Sequence, residues 1–63
     1  RQLGRVAAIA IAALEAYEEA VSLDAGNADA HYNAANLCER LGRPAAALRH
    51  LKSYRTLIRG QSP

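Results

Sequence analysis

Phenylalanine, tryptophan and methionine are absent from this chain of 63 residues, and tyrosine occurs only three times. Since 51% of the residues are nevertheless apolar, much of that content is alanine, which favours helix and lets backbones approach closely but fills little volume. A chain this short buries only roughly 60% of the surface its unfolded form exposes. One small domain of marginal stability is expected, unless a neighbour covers part of it.

Cysteine is nearly absent as well. Cys38 is the single one, so no disulfide can form within the chain and no Cys/His cluster has the spacing of a zinc site. A reducing, cytoplasmic setting is the expectation. The longest apolar run, Val6 to Leu14, falls short of the ~20 residues a membrane-spanning helix needs. Arg1 and Arg5 precede it as cations precede a secretory signal, but the run passes without a break into an acidic amphipathic segment, so it reads as packing surface.

Catalytic signatures are missing too. There is no Ser-centred elbow and no glycine-rich phosphate loop. His31 and Cys38 would share one helical face, but seven positions of helical rise separate them by about 10 Å, beyond hydrogen-bond reach. No catalytic residue, metal or cofactor is expected.

What is present is helical periodicity throughout. The first helix is expected from about Arg5 to Asp24. One apolar stripe runs through Val6, Ala10, Leu14, Tyr17 and Val21, and a second through Ile9, Ala13, Ala16, Ala20 and Leu23. Two stripes imply two packing neighbours. Gly26 is expected to close this helix in a left-handed conformation, with Asn27 capping the next. That second helix should cover Ala28 to Leu41 and stop at Gly42. Pro44 suits the first turn of a third helix, which should run to about Arg59. Ala47, Leu48, Leu51, Tyr54 and Ile58 would be buried on it, with Arg49, Lys52, Ser53 and Thr56 facing outward. Connections this short make an antiparallel, up-down-up, all-α array.

A shift of thirty-four positions places Ala13 on Ala47, Leu14 on Leu48, Tyr17 on Leu51 and Leu23 on Leu57. Size is kept at these positions and changes at Ala20 and Tyr54. That period, with the stretch AALEAYEEAVSLDAGNADA (residues 12 to 30), resembles the tetratricopeptide repeat, a helix–turn–helix unit of about 34 residues. The resemblance implies that residues 1–27 are the second helix of a preceding repeat, that residues 28–61 are one complete repeat, and that residues 60–63 are a frayed tail. It places His31 and Cys38 at positions usually aromatic, and Ala34 and Ala35 at the Leu-Gly pair, small so that the first helix of the repeat can lie close to two second helices. Tyr54, where the family has a small residue, and Arg59, where it has proline, depart from the pattern. Similar terminal repeats occur on bacterial regulators and secretion factors, an analogy that does not choose among functions.

By the same resemblance, the groove-lining residues are Asp29, Tyr32, Asn33, Asn36, Glu39 and Arg40. Some members clamp a peptide carboxylate with asparagines and a lysine, but Tyr32 replaces the lysine and Asp29 would repel a carboxylate. The ligand expected is a neutral or mixed-charge peptide, or a helix, from a protein partner.

Two further surfaces are legible from the residues alone. Val6, Ile9, Ala10 and Ile11 form an apolar face that one and a half repeats cannot cover, so either a second copy or a missing preceding helix should meet it. The motif LGR at Leu3 and again at Leu41 hints at the missing helix and at a fragment of a longer chain. Charge divides along the sequence: through residue 38, Arg1 and Arg5 face five carboxylates, whereas from residue 39 onward six cations face Glu39 alone. The basic stripe Arg49, Lys52, Arg55 and Arg59 supplies an alternative reading, contact with nucleic acid or an acidic surface.

Overall fold

A computed structural model describes residues 2–61, with side-chain environments over 4–60. Three helices make up the fold, α1 (Gln2–Leu23), α2 (Ala28–Arg40) and α3 (Pro44–Gln61), and the described residues contain no strand. α1 starts three residues earlier than its periodicity suggests. α3 continues through Gly60 and Gln61, two residues past its expected end at Arg59: no proline intervenes, and one glycine costs a helix only about 1 kcal/mol. Ser62 and Pro63, the rest of the expected tail, lie outside the described residues.

The two turns use different chemistry. After α1, the Gly26 amide donates to Asp24 Oδ1 (3.1 Å) and the Asn27 amide to the Asp24 carbonyl (3.1 Å). The aspartate side chain organises this turn, and Gly26 does not adopt the left-handed conformation expected of it. Asn27 then caps α2, its Oδ1 accepting from the Ala30 amide at 3.1 Å. At the far end of α2, Gly42 has φ +72°. Its amide donates to Glu39 O (3.1 Å) and the Arg43 amide to Cys38 O (2.8 Å). This is the Schellman pairing that satisfies the last carbonyls of a helix. Pro44 opens α3, where a missing amide costs nothing.

α2 lies between the other two helices and packs on both, whereas among the described residues α1 and α3 bring no pair of Cα atoms within 8 Å. The core is a seam of small side chains, with Leu14 of α1, Ala34 and Cys38 of α2, and Ala47 of α3 buried together, and Tyr17, Leu37, Leu41 and Ala46 partly covered around them. Ala30, Ala35 and His31 are also buried on α2. Alanine at 34 and 35 lets both flanking helices close on α2, the role expected of these positions. The molecule measures 48 × 21 × 15 Å. Its thinnest dimension barely exceeds the ~10–12 Å diameter of one helix, so every helix keeps a face open to solvent.

Two α3 residues expected inside are outside. Leu48 is 55% exposed and Ile58 40% exposed, while Ser53, expected outside, is half-buried. The apolar arc of α3 is wider than the single neighbour that covers it.

Candidate functional site

Residues of the expected groove divide between two sides of α2. Asn33, Asn36, Leu37 and Arg40 border α1, sharing a trough with Ala13 and Tyr17. This trough continues along α1 past Val6, Ile9 and Ala10, so the apolar face of α1 and the polar edge of α2 form one surface. Val6 is 62% and Ile9 65% exposed, Ile11 is less so, and Ala10 is half-buried. Tyr32 points the other way: its ring meets that of Tyr54 on α3, with centroids 5.0 Å apart at 47°. Glu39 borders a separate depression on the α2–α3 side with Pro44, Leu48 and Leu51. Asp29 is exposed in the first turn of α2. The structure thus brings Asn33, Asn36 and Arg40 together and sets Tyr32 apart from them.

A comparison internal to the chain identifies which face lacks a neighbour. α2 covers α3 at Ala46, Ala47, His50 and Leu57, which are buried or half-buried. The positions thirty-four earlier on α1 are Ala12, Ala13, Ala16 and Leu23. Each is more open than its counterpart, reaching 80% exposure at Leu23. Leu14 and Leu48 show the complementary effect: α2 buries Leu14 to 1% exposure, whereas Leu48 is 55% exposed.

The basic stripe is exposed at Arg49, Lys52, Arg55 and Arg59, and among the described residues none of the four forms an ion pair within 4.0 Å. The single ring on α3 besides His50, Tyr54, packs on Tyr32 rather than standing among these cations.

Polar chemistry inside the array centres on two histidines that sequence reading treated separately. His31 Nε2 lies 3.1 Å from the Ala25 carbonyl. A carbonyl can only accept, so this nitrogen carries the hydrogen and donates. His31 Nδ1 faces His50 Nδ1 at 3.3 Å, and His50 Nε2 lies 3.7 Å from Glu18 Oε2. The signal was hidden because the partners sit on three helices and in a turn, at spacings no motif prescribes. Nearby, burial pushes the Cys38 thiol up from its usual value; the Glu18 carboxylate adds to this, and Arg43 and Arg49 oppose it. Cys38 is buried in the seam, at 0% exposure.

Among the described residues, no three His, Cys, Asp or Glu side chains converge as a metal site would require. No helix there is long and apolar enough to cross a membrane.

Neither the curated proteins nor the solved structures yield a match to this chain. A family model described as tetratricopeptide repeat matches residues 10–60, which span α2, nearly all of α3 and the larger part of α1. The helical array, its thirty-four-residue correspondence and that match agree, and the chain belongs to the tetratricopeptide repeat family.

Proposed function

We propose that the chain is a non-catalytic interaction module that takes an amphipathic helix into the trough between α1 and α2. Tetratricopeptide repeats serve as protein–protein interaction modules; the trough and its occupant are the finer reading. The observation that carries it is the paired exposure on α1 and α3: Ala12, Ala16 and Leu23 are exposed and Ala13 half-buried, where Ala46, His50 and Leu57 are half-buried and Ala47 is buried. In this reading α1 acts as the second helix of one repeat, α2 and α3 make a whole one, and the occupant lies where a first helix partnering α1 would.

Recognition has two parts. Alanines on the trough floor admit close approach, so the larger apolar side chains of an incoming helix can interdigitate. Asn33, Asn36 and Arg40 along the rim offer amide hydrogen bonds and one cation, suited to an occupant with amides and a carboxylate on its flank. A second copy is the first occupant to test, since two α1 faces can meet about a twofold axis.

Light scattering on the eluting protein at high micromolar concentration tests this. We expect an assembly larger than the 6.7 kDa chain, dissolved by Ile9→Asp with the helical circular dichroism unchanged. A stable monomer ends the self-association reading. The alternative occupant, nucleic acid or an acidic surface on Arg49, Lys52, Arg55 and Arg59, is supported by exposed cations but lacks the interleaved rings that stack on bases.

A further inference from the structure

Apart from Tyr32, the large apolar side chains that stand exposed lie on the two outer helices: Val6, Ile9, Ile11 and Leu23 on α1, and Leu48 and Ile58 on α3. Val6 and Ile9 line the α1–α2 trough, and Leu48 lines the depression between α2 and α3. Along one flank these two faces carry opposite charge. On α1, exposed Glu15 and Glu19 stand three or four positions from Ala12, Ala16 and Leu23, the spacing at which helical side chains are neighbours. On α3, exposed Lys52 and Arg55 stand four positions from Leu48 and Leu51, and Arg59 follows one turn after Arg55. Among the described residues, none of these five charges forms an ion pair within 4.0 Å. The other flank, supplied by α2, is reversed as well: Arg40 borders the trough and Glu39 the depression.

We infer that the two faces fit one another in successive copies, the α3 face of one chain docking head-to-tail in the α1–α2 trough of the next. This rests on the reading that the trough takes an amphipathic helix, and it names that helix as α3 of a second copy. Size agrees with charge: Leu48 and Leu51 bring bulk to a trough floored by Ala10 and Ala13. Lys52, Arg55 and Arg59 come to the side of Glu15 and Glu19, and Glu39 to the side of Arg40. Complementary potentials of this kind fix register and suppress other pairings. Arg5 is the one cation among the described residues of α1. It lies about 15 Å along the axis from Glu15, so salt largely screens it from the acidic flank.

A twofold contact between two α1 faces satisfies less. It covers the trough but leaves Leu48 of each copy exposed, and with the helices antiparallel it sets Glu15 and Glu19 against their own counterparts. A head-to-tail contact uses two different patches, so each chain offers one of each and growth continues past two chains.

Complementation of two blocked variants tests this. Ile9→Asp spoils the trough and keeps the α3 face, and Leu48→Asp does the reverse. Both positions are exposed, at 65% and 55%, so helical circular dichroism should be retained. In light scattering at high micromolar concentration, wild type should exceed two chains and each variant alone should be a monomer. An equal mixture should form a pair of chains and grow no further. Glu15→Lys with Glu19→Lys, placed in the Leu48→Asp chain, should weaken that mixed pair by up to about fivefold for each ion pair lost. Lys52→Glu with Arg55→Glu in the Ile9→Asp chain should restore it. Leu48→Asp assembling like wild type would overturn the head-to-tail contact and leave the trough reading standing. A mixture that stays monomeric while wild type assembles, or a mixed pair indifferent to both charge reversals, would also reject it. Wild type that remains a monomer would end this inference and the self-association reading together.

Discussion

Leu14 and Leu48 lie thirty-four positions apart, yet one is 1% exposed and the other 55%. Side-chain chemistry is identical, so the difference comes from position: Leu14 lies in the seam that α2 closes, and Leu48 lies outside it. Truncating Leu14 removes the largest fully buried side chain from a seam otherwise made of alanine and cysteine. Leu14→Ala should therefore cost about 2–5 kcal/mol, comparable with the ~3–5 kcal/mol a core of this size supplies in total. Leu48→Ala should fall within about 0.5 kcal/mol of wild type. Urea unfolding of the two variants at a concentration low enough to keep the chain monomeric makes the comparison, and equal losses would contradict the burial pattern. Periodicity correctly marked both leucines as apolar-face residues. It could not say that Leu48 and Ile58 are exposed, because the width of an apolar arc records every neighbour a helix is built for, whether or not that neighbour is there.

Among the elements, the helices themselves were the most legible part of the fold, because apolar spacing, Asn27, Gly42 and Pro44 each act through a local mechanism. Gly26 misled for an equally local reason: Asp24 accepts from the Gly26 amide and shapes the turn, so glycine's conformational freedom is not used. The two glycines consequently differ in their tolerance of a side chain. At Gly42 a Cβ meets open space, but φ +72° strains any L residue, at about 1–2 kcal/mol. At Gly26 a Cβ sits 3.4 Å from Asp24 Oδ1, an ordinary contact, with no positive φ. Gly42→Ala should lower stability by about 1 kcal/mol, and Gly26→Ala should leave it unchanged or raise it by up to ~1 kcal/mol through the unfolded state. Chemical denaturation distinguishes them, and a larger loss at Gly26 than at Gly42 would refute this account of the turns. Of the candidate site, Asn33, Asn36, Arg40 and the α1 face were legible as surface. That Tyr32 turns to Tyr54, and that His31 meets His50, depends on how α2 and α3 are rotated about their axes, which one helix's pattern does not determine.

For the whole molecule, a single seam has to hold three helices in a slab 15 Å thick. Cys38 is fully buried in that seam, clustered with Leu14 from α1, Ala34 from α2 and Ala47 from α3. Neither outer helix can leave without uncovering part of the same cluster, so the thiol reports on the integrity of the array rather than on one element. Burial also raises the thiol's pKa, and the Glu18 carboxylate acts in the same direction. Alkylation of the native chain should therefore be slower than that of the urea-unfolded chain by a factor close to the unfolding equilibrium constant, roughly a hundredfold or more for a core worth ~3–5 kcal/mol. Raising the pH should speed both reactions by increasing thiolate, while the native rate stays governed by opening. Occupation of the α1–α2 trough stabilises the folded chain by mass action, so protection of Cys38 should grow with protein concentration if a second copy is the occupant and should stop growing in Ile9→Asp. Native labelling as fast as that of a free thiol would show that the three helices do not close on a common core.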